Sequence, residues 1–260
     1  MIKIENFEVV GWEHAFRGMR NPKNSWAKSD SSFHEKAVTE ALDYSNNPDG
    51  EIKELLVQFD ALDIGEKDHE LAMKLVKGGP VHAKFRRMIA VYVDVTAPLY
   101  WWKEYDTYKV GTVANSCSTM HKIHEKEFTF EDFSRDHFIN IWDFDPEVRD
   151  LAPTIEADVN TDVACHYVYG PIDVLTLTIN MLNRLRELYI KTNDKYFWYQ
   201  MIQLLPSSYN QKRTLMLNYE VLANIYKWRK NHKLQEWVDF CNFIKNLPYS
   251  EIITGSDADD

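Results

Sequence analysis

The stretch from Pro171 to Lys191 constrains the fold most. Val174, Leu175, Leu177, Ile179, Leu182, Leu185 and Leu188 recur there at helical spacing. A helix with such an apolar side is not stable alone and needs neighbours to cover it. Nearby segments supply them. Tyr196 to Leu205 reads as a second helix, stopped by Pro206. Asn218 to Lys230 and Leu234 to Asn246 read as two more. Lys67 to Lys77 places Leu71, Leu75 and Val76 on one side and is ended by Gly78-Gly79-Pro80. Phe33 to Tyr44 reads as a helix capped by Ser31 or Ser32, with Asn46-Asn47-Pro48-Asp49-Gly50 as a break after it.

Strand signals are fewer. Arg87 to Val95 alternates, with Ile89, Val91, Val93 and Val95 on one side and Met88, Ala90, Tyr92 and Asp94 on the other. Thr96-Ala97-Pro98 then opens an aromatic-rich helix over Leu99 to Tyr108, with Thr96 as its cap. Glu8 to Trp12 opens a strand, and Lys212 to Leu217 is a short one. Phe128 to Val159 carries many acids with Pro146 and Pro153 and reads as an irregular lobe. Helices dominate a mixed order, so the class is α+β: a helix-rich single domain over 1–254 with a small mixed sheet. Residues 255–260 read as an acidic tail.

Composition narrows the function classes. Apolar residues make up 45% of the 260, which excludes a disordered chain. The net charge of −10 speaks against binding bulk nucleic acid through the surface field, though not against a local basic pocket. No segment has the unbroken apolar length of a membrane span, and Met1 to Asn6 has no signal-peptide core. Cys117, Cys165 and Cys241 are too few and too widely spaced for a disulfide framework or a zinc site, so a reducing, cytoplasmic setting is expected.

Most isolated motifs have plain readings. Gly78-Gly79-Pro80 lacks the spacing of a phosphate loop. His121 and His124 have no further ligand beside them, so no metal is expected. Cys117, within Asn115-Ser116-Cys117-Ser118-Thr119, fits a nucleophile and an inert thiol equally well. Trp101-Trp102, Tyr105 and Tyr108 form an aromatic band suited to a core or subunit interface.

Two stretches together carry more. Leu205-Pro206 precedes the Thr214-bearing strand. Asn218, Leu222, Asn224 and Arg229 follow in the pattern N-x-x-x-L-x-N-x-x-x-x-R, and then comes Gln235. Upstream, the strand within Phe85 to Val95, then Pro98, the Trp pair and Asn115-Ser116-Cys117-Ser118 fall in order. This combination, over roughly 70–125 and 195–245, resembles the flavin-dependent thymidylate synthases. The resemblance implies a flavoprotein that binds a uridylate-type nucleoside monophosphate and FAD. If active, it would be a methyltransferase passing one carbon from methylenetetrahydrofolate, with NADPH as reductant, in a homotetramer. It assigns Ser116, Ser118 and Arg229 to the nucleotide, and Lys109, Asn115, Asn218, Asn224 and Gln235 to the cofactor. No catalytic residue is singled out.

The departures from that pattern are specific. The family's flavin-holding R-H-R triplet falls on Tyr108-Lys109-Val110. Its motif Glu falls on Ser116, its last Arg on Met120, and the Arg before Leu-Pro on Ile202. Each lost arginine removes a bidentate, charge-assisted grip on phosphate. The alternative expectation is therefore a catalytically inactive nucleotide-binding protein on the same fold.

Overall fold

Alternation along one strand sets the centre of the sheet. In a computed structural model, strand β4 (Ala90–Pro98) buries Val91, Val93, Val95 and Ala97 and leaves the residues between them open, as its period of two requires. It lies inside a four-stranded sheet ordered β1-β4-β8-β5, with β1 at Lys3–Val10, β8 at Asn210–Asn218 and β5 at Val113–Ser116. The structure describes residues 2–43, 53–138, 140, 143, 145–149, 154–157 and 165–255. The chain separates into two compact units. One comprises Met1–Glu5, Asp94–Thr107 and Ala114–Thr214; the other comprises Asn6–Val93, Tyr108–Val113 and Leu215–Asp260.

In the first unit, α3 (Leu99–Tyr105) follows β4 directly. Thr96 stays in the strand and Pro98 occupies the cap position, so the helix begins later than Thr96-Ala97-Pro98 suggests. Trp101, Trp102 and Tyr105 are buried, which makes that part of the aromatic band core. The Trp102 indole donates to the Gln211 carbonyl at 2.9 Å, and the Arg213 guanidinium lies 4.2 Å from the Trp102 ring. Helices α5 (Pro171–Thr192) and α6 (Lys195–Leu204) pack together. Leu175, Ile179, Leu182 and Leu185 join Met201, Ile123, Phe128 and Phe133 in one cluster. Val174 and Leu177 belong to the apolar pattern of α5 but are exposed.

Within 128–159, Phe130–Asp132 forms a single turn closed by a Thr129–Asp132 capping box. Pro146–Arg149 is a short helix, α4, and strand β6 (Thr154–Ala157) pairs antiparallel with β7 (Cys165–Val168).

In the second unit, β1 ends at Val10 and Trp12 opens α1 (Trp12–Arg20), where Glu8 to Trp12 suggests a single strand. The switch happens at Gly11, whose φ is +93°. A Cβ there would lie 2.2 Å from the Met88 carbonyl oxygen, so no other residue fits without a shift. The expected helix over Phe33 to Tyr44 is instead strand β2 (Ser32–Asp43), paired antiparallel with β3 (Lys53–Asp63) from Ser32–Asp63 to Asp43–Lys53. Pairing with a distant segment overrides the local helical spacing. The break at 46–50 and the tail at 256–260 lie outside the described residues.

Helix α2 (Glu66–Lys77) stops at Gly78, as its sequence indicates. A turn at Lys84–Met88 takes the residues before β4, so the strand starts three residues after Arg87. Helices α7 (Tyr219–Arg229), α8 (Gln235–Lys245) and α9 (Glu251–Thr254) complete the unit. Trp12, Phe16, Phe85, Tyr219, Trp237 and Phe240 are its buried aromatic residues, with Leu222 buried as well. Burial pushes the Tyr219 hydroxyl pKa well up, and that hydroxyl donates to the Pro248 carbonyl at 2.6 Å.

Candidate functional site

Helix α7 begins where Asn218 leaves β8. Its side-chain oxygen accepts from the Val221 amide at 3.0 Å, a regular N-cap, and its amide donates to the Gly111 carbonyl at 3.3 Å. Gly111 has φ +73°, and a Cβ on it would lie 2.6 Å from the Asn218 amide nitrogen. One buried asparagine therefore fixes both the start of α7 and the loop that crosses beside it.

These residues border a cavity of about 780 Å³ wholly within the second unit. Its walls are the Lys84–Met88 turn, the Val110-Gly111 loop, the first two turns of α7, the end of α2 with Gly79-Pro80, and Ile253 to Gly255. The volume is in the range of small-ligand sites.

The charged side chains at the wall divide into two groups. Arg86 is buried. Its Nε donates to Oε2 of Glu220 at 2.8 Å, its Nη2 lies 2.7 Å from the same oxygen, and its Nη1 donates to the Ile252 carbonyl at 3.3 Å. Arg87 and Lys227 line the same cavity, are exposed, and form no ion pair among the described residues. Lys227 lies over the Trp228 ring at 5.1 Å. With Arg86 neutralised by Glu220, the cavity carries two uncompensated positive charges in a chain that is acidic overall.

The sequence-expected residues are placed unevenly. Asn218 and Asn224, which the resemblance gives to the cofactor, both line the cavity, whereas Ser116, Ser118 and Arg229, which it gives to the nucleotide, do not. Asn218 spends its oxygen on the cap and one amide proton on Gly111, and so sets the wall's shape. Arg229 is not a wall residue. Its Nε donates to the Tyr108 hydroxyl at 2.9 Å, and its guanidinium lies 4.7 Å from the Trp237 ring and 5.7 Å from that of Tyr108. Gln235 is exposed and donates to Asp239 at 2.9 Å. Lys109 is exposed and lies outside the cavity wall.

Asn115, Ser116 and Ser118 belong to the first unit, on exposed β5 and the turn after it, where Ser118 Oγ accepts from the His121 amide at 2.9 Å. Cys117 is exposed as well, and its amide donates to the Lys212 carbonyl. Among the described residues no group of three potential metal ligands occurs, and no helix is long and apolar enough to cross a membrane.

Sequence reasoning missed Arg86, Arg87, Glu220 and Lys227. A signal existed for two of them, Glu220 and Lys227. Glu220, Asn224 and Lys227 are spaced by four and three, which puts them on one face of α7. Arg87 had only its adjacency to Arg86 before a strand.

Comparison with known proteins gives a consistent fold. The chain aligns with thymidylate synthase X (ThyX) from Helicobacter pylori, whose structure was determined with FAD and dUMP. The TM-score is 0.56, at 14% identity, covering 99% of this chain and 98% of that one. A second Helicobacter pylori structure of flavin-dependent thymidylate synthase, complexed with FAD and dUMP, aligns at TM-score 0.53, 16% identity and 98% of both chains. The UMP/dUMP methylase PolB from Streptomyces cacaoi, bound with 5-Br UMP, aligns at 0.51 and 11% identity, covering 94% of this chain and 88% of that one. No family model matches the chain, and no curated protein matches it by sequence. The likeness is one of fold: nearly the whole chain is built on the flavin-dependent thymidylate synthase plan, with its sequence far diverged.

Proposed function

We propose that the cavity of the second unit binds a uridylate-type nucleoside monophosphate. The observation that carries this reading is the pair of uncompensated cations, Arg87 and Lys227, on the wall of a cavity of nucleotide size. A phosphate monoester carries close to two negative charges at neutral pH, and an arginine fork with a lysine point charge suits it. The dUMP and 5-Br UMP bound by proteins of this fold support the uracil-type base.

The donor set at Tyr108-Lys109-Val110 does not fit an FAD diphosphate. The Tyr108 hydroxyl, which accepts from Arg229, keeps one proton to donate, Val110 has no polar side chain, and Lys109 supplies a single cation. NADPH and methylenetetrahydrofolate would enter only with a flavin. The FAD in the Helicobacter pylori structures favours a second reading, a flavoprotein performing reductive one-carbon transfer. The two readings separate on one measurement. A flavin absorption band in the purified protein, or one gained on adding FAD, supports the second; a colourless protein that binds dUMP or UMP supports the first.

Titration calorimetry with UMP and dUMP tests the nucleotide reading. Arg87→Ala and Lys227→Ala should each weaken binding about ten- to a hundredfold, the range for a charge-assisted hydrogen bond. Absence of any heat or thermal shift with either nucleotide would overturn the reading. The homotetramer implied by the resemblance is also proposed. It is supported by the exposed apolar row Val174, Leu177 and Met181 on α5.

A further inference from the structure

We infer that Glu220 is the residue that selects the nucleoside part of the ligand, by accepting a hydrogen bond from it. This rests on the nucleotide reading of the cavity and adds a specificity element to it. Both contacts from Arg86 fall on one carboxylate oxygen, Oε2. The second oxygen, Oε1, takes no hydrogen bond among the described residues. Glu220 nevertheless lines the cavity and is mostly buried, with 18% of its side chain exposed.

A carboxylate in that situation is an acceptor held in place. Arg86 anchors it at Oε2 alone, through two nitrogens that converge on that oxygen, and leaves Oε1 for another donor. Arg86 is itself immobilised by burial and by the Ile252 carbonyl. A half-satisfied, part-buried acceptor favours any ligand that brings a donor to it and disfavours one that brings a lone pair.

A nucleoside offers two kinds of donor, the imide N–H of a uracil-type base and the sugar hydroxyls. The shared chemistry is an N–H or O–H donated to Oε1, while Arg87 and Lys227 take the phosphate. Cytosine presents a lone pair where uracil has its imide N–H, so a base-reading Glu220 rejects cytidylate. A sugar-reading Glu220 is indifferent to the base and rejects a dideoxyribose.

The test uses the full chain and five probes: inorganic phosphate, UMP, CMP, N3-methyl-UMP and 2′,3′-dideoxy-UMP, each titrated calorimetrically. The expected result is a loss of about ten- to a hundredfold for N3-methyl-UMP and CMP relative to UMP, or for the dideoxy analogue. Which of them loses identifies the donor. Glu220→Ala should remove that discrimination and, because it frees the Arg86 charge, leave inorganic phosphate bound no more weakly than before. A purely structural Glu220 would instead lower stability and weaken every probe alike, phosphate included.

The analogue series on the unmutated protein needs no variant to fold. Equal affinity for all four nucleotides overturns the assignment of Glu220 and leaves nucleotide binding standing. Discrimination that persists in folded Glu220→Ala overturns it too. Failure of every probe to bind removes the nucleotide reading and this inference with it.

Discussion

Asp68 is fully buried on α2, and its carboxylate is surrounded by donors. Arg20 Nε donates at 2.5 Å, Ser29 Oγ at 2.6 Å and Ser31 Oγ at 2.7 Å, and the Asp30 and Ser31 amides donate at 3.2 Å. Asp30 returns the favour by accepting from the Lys67 and Asp68 amides at the start of the same helix. Burial alone pushes the Asp68 carboxyl up, but the bonds from Ser29, Ser31 and Arg20 outweigh it and hold the pKa below the ordinary 3.8. Asp68→Asn leaves the Arg20 charge buried without its partner and should cost about 3–5 kcal/mol at neutral pH. The sign with pH follows from the lowered pKa. The contribution is complete above the ordinary carboxyl value and is lost as pH falls through the lower folded value. Urea unfolding should therefore show the gap between the two proteins narrowing below about pH 4. A gap that stays constant down to acid-induced unfolding would contradict it.

At the scale of elements, the Asn218 latch links α7 to the Gly111 loop, and it can be perturbed from either partner. Asn218→Ala removes the cap together with the bond to Gly111 and should cost about 1–2 kcal/mol, read by thermal melting. Gly111→Ala leaves the cap but places a Cβ 2.6 Å from the Asn218 amide at a φ of +73°. It should cost about as much or more, through strain in the loop that walls the cavity. If Gly111→Ala melts with the unmutated protein, the close approach has no energetic weight.

Helix α7 was legible in the sequence over Asn218 to Lys230, because its apolar spacing is purely local. The same holds for β4, whose alternation survives intact in the fold. The β2–β3 ladder was not legible. Its partners lie on either side of a break, and Phe33 to Asp43 alone spaces its apolar residues like a helix. The cavity charges were half legible. Glu220, Asn224 and Lys227 share a helical face, whereas the neutralisation of Arg86, which sets the balance, depends on a partner 134 residues away.

At the scale of the whole molecule, α5 carries two apolar sides with different duties. Leu175, Ile179, Leu182 and Leu185 face the core of the first unit, and Leu182 is completely buried. Val174, Leu177 and Met181, spaced by three and four, form a second row that stays more than half exposed. A row of large apolar side chains on a long helix favours association with another copy, since burying it removes apolar area from water at about 25 cal/mol per Å². The two rows predict opposite outcomes. Leu182→Ala should lower the unfolding free energy by about 2–5 kcal/mol and leave the association state intact in the folded fraction. The double change Leu177→Lys and Met181→Lys should scarcely alter the stability of the single subunit, because neither side chain leaves a cavity behind. It should instead shift sedimentation equilibrium from the oligomer towards the monomer. An unmutated protein that sediments as a monomer at every concentration would remove the association argument and assign the row no role beyond the surface.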